Sequence, residues 1–224
     1  MNDQIKKNLG IYASKLVKDN MIVGLGTGST ANHFIQSLSK RISEGLKINA
    51  IASSKDSLNL AKKNNINIID PKEVDIIDLY VDGADEVDKK KQMIKGHGAA
   101  LLNEKILAKF SKEVIIIVDE TKLVDKIGKK TLPVELTTFC HVLTKKLLEK
   151  KGFIGEFRKE KEKLIITENN NYILDIQLSN LVDNIYDLQM QLLSIPGVIE
   201  TGLFYDLPSK IIIGKTDNTF DVIE

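Results

Sequence analysis

The chain is short of cysteine and histidine and has no excess charge of either sign, and each shortage rules something out. Its single cysteine, Cys140, leaves no partner for an internal disulfide. That residue lies in a segment with helical spacing rather than beside a His/Asp pair, so it is expected to be a small buried hydrophobe. His33, His97 and His141 are scattered without metal-ligand spacing. His33 and His141 are expected to be structural or surface residues, whereas His97 stays open because of its neighbours. Lys+Arg 32 against Asp+Glu 31 gives a formal net charge of +1, and neither sign forms a long block, so no electrostatic footprint for nucleic acid is present. Nor does any window approach the roughly 18 apolar residues of a membrane span. The N-terminal MNDQIKKNLG lacks an apolar signal-peptide region. The expectation is a cytoplasmic protein that meets neither membrane nor nucleic acid. With 42% hydrophobic residues over 224 positions, its core needs no staples.

What is present is alternation. Residues 3–19 carry Ile5, Leu9, Tyr12 and Leu16 on one face of an amphipathic helix. Apolar strands then recur at 21–25, 48–52, 66–69, 76–81 and 114–118, with helices near 29–44, 55–64 and 99–110. Near-continuous apolar strands separated by helices predict a parallel sheet covered on both faces. After "DKIGKKTLPVEL" the order becomes strand 132–136, helix 138–151, strand 153–159, strand 172–178, helix 183–194 and strand 198–204. "ENNN" is read as the turn between the two middle strands. That order is the split β-α-β-β-α-β unit. "KIIIG" at 210–214 reads as a buried strand returning to the first domain. The expected fold class is therefore α/β: a Rossmann-like parallel-sheet domain over 1–130 and 206–224, with an inserted ferredoxin-like domain over 131–205.

In open parallel sheets ligands bind beyond the carboxyl ends of the strands, which singles out a few stretches. "VGLGTGST" at 23–30 fits neither the dinucleotide fingerprint, which wants glycine where Ser29 stands, nor the P-loop, which wants lysine where Gly28 stands. Thr27, Gly28, Ser29 and Thr30 nevertheless offer amides and hydroxyls at a helix N-terminus, which suits an anion. The alternative is a tight turn with Ser29 as N-cap. A dinucleotide is disfavoured because the second strand ends in Ala52, Ser53 and Ser54, where an acidic ribose partner would stand. "VDGADEVD" puts Asp82 at a strand tip and Asp85 three residues on, with Gly83 and Ala84 keeping the turn small. It lacks the ligand pattern of a calcium loop. "KGHGAALLNEK" sets Lys95 before a second glycine-rich turn, Gly96, His97 and Gly98. In the helix that follows, Leu102, Ile106 and Phe110 share one face and Glu104 lies roughly opposite. Alone Glu104 reads as a surface residue; beside a Lys and two Asp at strand ends it becomes a candidate base. Lys122, in "VDETK", lies just past a strand and is read either as an anion contact or as solvated.

In this order the motifs resemble those of the type A ribose-5-phosphate isomerases. That family shows G-[LV]-G-T-G-S-T, D-G-A-D-E, K-G-G-G-x-A with a Glu several residues on, and D-x-[ST]-K. Here the matching residues are Gly24 to Thr30, Asp82 to Glu86, Lys95 to Ala100 with Glu104, and Asp119 to Lys122. The likeness runs on through "LPVEL" and "IPGVIETGLF", so it covers essentially the whole chain.

The resemblance implies cofactor-free, metal-free interconversion of D-ribose 5-phosphate and D-ribulose 5-phosphate through an enediolate. It also implies a homodimer or dimer of dimers. Glu104 would be the proton acceptor at C2, with Asp82 and Lys95 as further catalytic residues. Thr27 to Thr30, Asp82 to Asp85, Lys95 to Gly98 and Lys122 would bind the substrate. Such chemistry needs one base for a carbon-bound proton and fixed donors where negative charge grows on oxygen. One departure stands out: His97 occupies a position where the family usually has Gly. The rival readings are a sugar-phosphate-sensing domain, which would not need Glu104, and a nicotinamide-dependent oxidoreductase, which the incomplete fingerprint disfavours.

Overall fold

The apolar strand runs become the centre of a six-stranded sheet, in the order Phe220–Ile223, Lys210–Gly214, Ser111–Asp119, Ile77–Asp82, Ile22–Leu25, Asn49–Ala52. The computed structural model describes residues 2–224. All neighbours in this sheet run parallel except the edge strand Phe220–Ile223. With it belong helices α1 (Asn2–Ser14), α2 (Ser29–Ser43), α3 (Lys55–Lys63) and α4 (Leu101–Lys109). Leu9 of α1 and Phe34 of α2 join Leu25, Val81 and Ile117 of the strands in one buried cluster. Burying each such side chain contributes about 1.5–3 kcal/mol.

Two local expectations change here. The helix expected over 3–19 ends at Ser14, because the amides of Lys15, Leu16 and Val17 bond three residues back rather than four. Arg41 Nη1 takes the carbonyls of Ser14 and Val17, which ends the ladder. The strand expected at 66–69 shrinks to a single bridge between Ala50 and Ile68. The amide of Ile66 is spent on the carbonyl of Ala61 at the end of α3, and Pro71 opens a 3-10 turn capped by Asp70. Too little chain is left for a ladder.

The chain forms two compact units: one of residues up to Ala84, Asn103–Leu123 and Asp206–Glu224, the other of Asp85–Leu102 and Val124–Tyr205. The second holds an antiparallel sheet in the order Val198–Thr201, Leu132–Thr137, Asn171–Gln177, Ile154–Phe157, with helices α5 (His141–Lys150) and α6 (Ile185–Leu193). Chain order is β-α-β-β-α-β. Between the middle strands "ENNN" does turn, but a small hairpin, Lys159–Glu160 with Lys163–Leu164, precedes it.

Residues 85–102 and 124–130, expected in the sheet domain, cluster instead with this second unit. The strand expected over 198–204 breaks at Gly202, and its end, Leu203–Phe204, pairs with Met93–Ile94, which pairs with Glu86–Val87. The Val124 amide donates to the Val87 carbonyl, and the buried Glu86 carboxylate accepts amides from Gly128, Lys129 and Lys130. Strands of two residues carry no periodicity, so sequence could not place them.

Cys140 is exposed, not buried. It is the N-cap of α5 in a left-handed conformation, φ 52°, outside the helix it was thought to line. No helix among the described residues is long and apolar enough to cross a membrane.

Candidate active site

In the strand Ile77–Asp82 alternate residues take opposite faces. Leu79 and Val81 enter the apolar core, while Tyr80 and Asp82 share the other face, both wholly buried. One carboxylate oxygen of Asp82 accepts the amides of Gly83 at 2.7 Å and Thr27 at 3.1 Å. The other accepts the Tyr80 hydroxyl at 2.5 Å. This face explains two of the glycines in "GLGTGST". A β-carbon at Gly26 would stand 2.2 Å from the Asp82 carboxylate, and one at Gly24 would stand 2.6 Å from the Tyr80 ring. Gly24 and Gly26 leave room for these side chains; the ligand is not what requires them.

Gly28 is different. At φ 112° it is the N-cap of α2, in place of Ser29, and a β-carbon there would meet nothing within 4 Å. Gly28 and Ser29 are exposed at the mouth of the helix, with Thr27 and Thr30 half-buried. Ser29 Oγ accepts Lys6 Nζ at 2.9 Å, which adds a cation to a helix N-terminus already suited to an anion. The Thr27 hydroxyl turns inward to Ser53 at 2.7 Å and Ser54 at 2.8 Å. The serines that argued against a nucleotide are thus the support of the loop.

Glu104 lies opposite Ile106 and Phe110, as its spacing has it, but that face is the buried one rather than the surface. Leu101, Glu104, Leu107 and Ala108 form the buried face of α4, with Glu104 only 2% exposed, while Ile106 and Phe110 face out. Both sides of this helix carry apolar residues, so spacing alone chose the wrong one. Glu104 lies close enough to Tyr80 for its charge to act on the phenol. The preceding Asn103 donates to the Ser53 carbonyl at 3.0 Å. Lys122, half-buried, ends the 3-10 turn Glu120–Lys122, which Asp119 caps through the Thr121 amide at 3.1 Å.

The second unit holds the remaining motif residues. Lys95 is 3% exposed, with its ammonium 5.4 Å from the centre of the Phe204 ring. Its amide donates to the Gly202 carbonyl at 2.9 Å. Gly96 takes φ 103°, and Arg158 Nη1 binds the carbonyls of Gly96 and His97 at 2.8 and 2.9 Å. Arg158 is itself held by a fork on Asp175.

His97 turns onto Asp85: its amide lies 3.2 Å from one carboxylate oxygen and its ring Nδ1 3.2 Å from the other. The hydrogen bond that the ring donates to Asp85 raises the ring's pKa, against burial and the charge of Arg158. Burial pushes the Asp85 carboxyl up, but the His97 hydrogen bond and the charges of His97 and Lys95 outweigh it and hold the carboxyl below its usual range. Gly98 is exposed, and Gly83 and Ala84 are half-buried links between the two aspartates.

Thr27, Asp82 and Gly83 are thus directly bonded in the first unit, and Asp85, Lys95 and His97 are gathered in the second. Sequence reasoning missed Tyr80, Arg158 with Asp175, and the serine cluster. Tyr80 was open to detection, because it shares Asp82's side of the strand at a spacing of two. Among the described residues no group of three or more His, Cys, Asp or Glu is placed to hold a metal ion.

A family model for ribose 5-phosphate isomerase A (phosphoriboisomerase A) matches residues 49–218. The ribose-5-phosphate isomerase A of Protochlamydia amoebophila is 47% identical over 97% of this chain and 94% of its own. That of Bacillus mycoides is 45% identical over 94% and 95%. Among solved structures, ribose 5-phosphate isomerase from Plasmodium falciparum superposes with a TM-score of 0.95 at 32% identity, covering 99% of this chain and 98% of that one. A D-ribose-5-phosphate isomerase in complex with phospho-erythronic acid gives 0.95 at 35% identity, covering 100% and 99%. The buried carboxylates, the braced glycine turns and this likeness along nearly the whole length agree: the chain belongs to the ribose 5-phosphate isomerase A family.

Proposed function

We propose that the chain interconverts D-ribose 5-phosphate and D-ribulose 5-phosphate by proton transfer through an enediolate, with Glu104 as the base at C2. The observation that carries this reading is the burial of Glu104: a surface glutamate would lie on the outer face of α4, and this one is 2% exposed. A carboxylate shielded from water is a stronger and better oriented base. Lys95 stabilises the negative charge that grows on the enediolate oxygens. Asp82 moves protons between O1 and O2 and helps open the furanose ring, while Asp85 holds hydroxyls. The Thr27–Thr30 loop, through its exposed residues Gly28 and Ser29 and with Lys6 beside them, and Lys122 bind the phosphate. That remote contact keeps the reacting carbons in register.

The ligand of the solved relative fits this chemistry. Phospho-erythronic acid carries a phosphate and a carboxylate whose two oxygens resemble those of an enediolate. It should inhibit this chain competitively, with an inhibition constant below the KM for ribose 5-phosphate. The working enzyme is proposed to be a cytoplasmic homodimer or dimer of dimers, which sedimentation would resolve. The direct test is to incubate purified protein with ribose 5-phosphate alone, after EDTA treatment and without nicotinamide. Ketose should form. Its absence, with binding retained, would favour a sensor of sugar phosphates; dependence on a nicotinamide or a divalent ion would overturn the acid-base reading.

A further inference from the structure

Tyr80 belongs to none of the motifs, yet it lies among them. Its side chain is among the bulkiest of those fully buried, and burying a phenol is unfavourable unless its hydroxyl finds a partner. Phenylalanine would fill the same space without that penalty. What the hydroxyl adds is a hydrogen bond to the buried Asp82 oxygen at 2.5 Å and a further bond to the Ser53 side chain. The sheet makes room for it: Tyr80 stands opposite Gly24 in register, and any side chain at 24 would strike the ring.

We propose that the Tyr80 hydroxyl is a positioning residue for the isomerisation: together with the amides of Gly83 and Thr27, it fixes the plane of the Asp82 carboxylate. The inference rests on the reading that Asp82 works on the substrate's oxygens. The amides hold one oxygen and the phenol the other, so rotation of the carboxylate about its Cβ–Cγ bond breaks at least one bond. Burial, then the charges of Asp82 and Glu104, push the phenol's ionisation well above its ordinary value, so it keeps its proton at every working pH. It therefore supplies a donor that adds no charge beside two carboxylates. A lysine or histidine at 80 would pair with them and lower their basicity.

The test is a double-mutant cycle of Tyr80→Phe and Asp82→Asn, with kcat and KM measured for each protein and folding checked by circular dichroism and Tm. Removing the hydroxyl keeps the ring and frees the carboxylate to turn. Misplacement by about 1 Å costs on the order of 10² in rate, so Tyr80→Phe, a smaller disturbance, should lower kcat about tenfold while KM stays within about threefold. In the Asp82→Asn background the same change should cost no more than about twofold, since the group it positions is gone. Gly24→Ala, whose methyl would displace the ring, should lower kcat with the same dependence on Asp82. If Asp82→Asn retains wild-type kcat, Asp82 has no part in the reaction and the reading beneath this one falls. If Asp82→Asn is impaired as expected but Tyr80→Phe has wild-type kcat, or its loss is undiminished in the Asp82→Asn background, the positioning role alone is overturned.

Discussion

Asp82 and Asp85 stand three residues apart in one turn and are held in opposite ways. Asp82 is wholly buried and bound by two backbone amides and a phenol, none of which changes charge in the physiological range. Asp85 is part-exposed, with an imidazole on it whose pKa the hydrogen bond to Asp85 raises. The first arrangement holds the carboxylate through backbone and a neutral hydroxyl; the second holds it through a group that can carry a proton. A carboxylate that must meet reacting oxygens at fixed angle gains from the first, whereas one that binds hydroxyls tolerates the second.

The comparison can be broken at several points. The largest loss should come from Lys95→Met, which removes the cation whose charge acts on Asp85 and, in our reading, on the enediolate. We expect kcat to fall by on the order of 10² to 10³; a change confined to KM would make Lys95 a binding residue only. Next is Gly26→Ala, whose methyl would meet the Asp82 carboxylate at 2.2 Å. It should lower kcat by about 10² through displacement of the carboxylate. Steady-state rates near wild type would show that Asp82 needs no fixed place.

The smallest effect sharpens the contrast. Asp85 raises the pKa of His97, so the pair stabilises the fold fully below about 6.5, the unfolded histidine value, and loses that contribution as pH rises through the raised folded value. Asp85, whose pKa is lowered, sets the acid limit: its share is present above about 3.9 and is lost as pH falls through its folded pKa. The Tm difference between wild type and His97→Asn should therefore be greatest between about pH 4 and 6.5 and shrink toward pH 9. His97 is 39% exposed, so the difference should be modest and should weaken in salt. A Tm difference constant across this range would mean that the ring holds Asp85 without its charge. No such pH signature should follow Tyr80→Phe.

The larger elements were legible because apolar spacing in the strands and in α2 and α3 reflects burial on one side. The motif residues were legible because parallel sheets present ligand groups at strand ends, where Asp82 lies. What escaped depended on partners far along the chain. Arg158 reaches the carbonyls of Gly96 and His97 across about sixty residues, and nothing in its neighbourhood marks it. Gly24 and Gly26 invited a ligand explanation, since only the register opposite Tyr80 and the turn of Asp82 reveal what fills the space. On α4 apolar residues on both faces hid the burial of Glu104 until the sheet was in place.

The central claim is that the Glu104 carboxylate carries the proton at C2, and ribose 5-phosphate deuterated at C2 tests it most directly. With wild-type protein, NMR should show deuterium passing at least partly to solvent during turnover, with a primary isotope effect on kcat where proton transfer limits the rate. Glu104→Gln, folded and still binding phospho-erythronic acid, should lose both turnover and exchange by at least about 10². A Glu104→Gln enzyme with more than about a tenth of wild-type turnover would contradict the account.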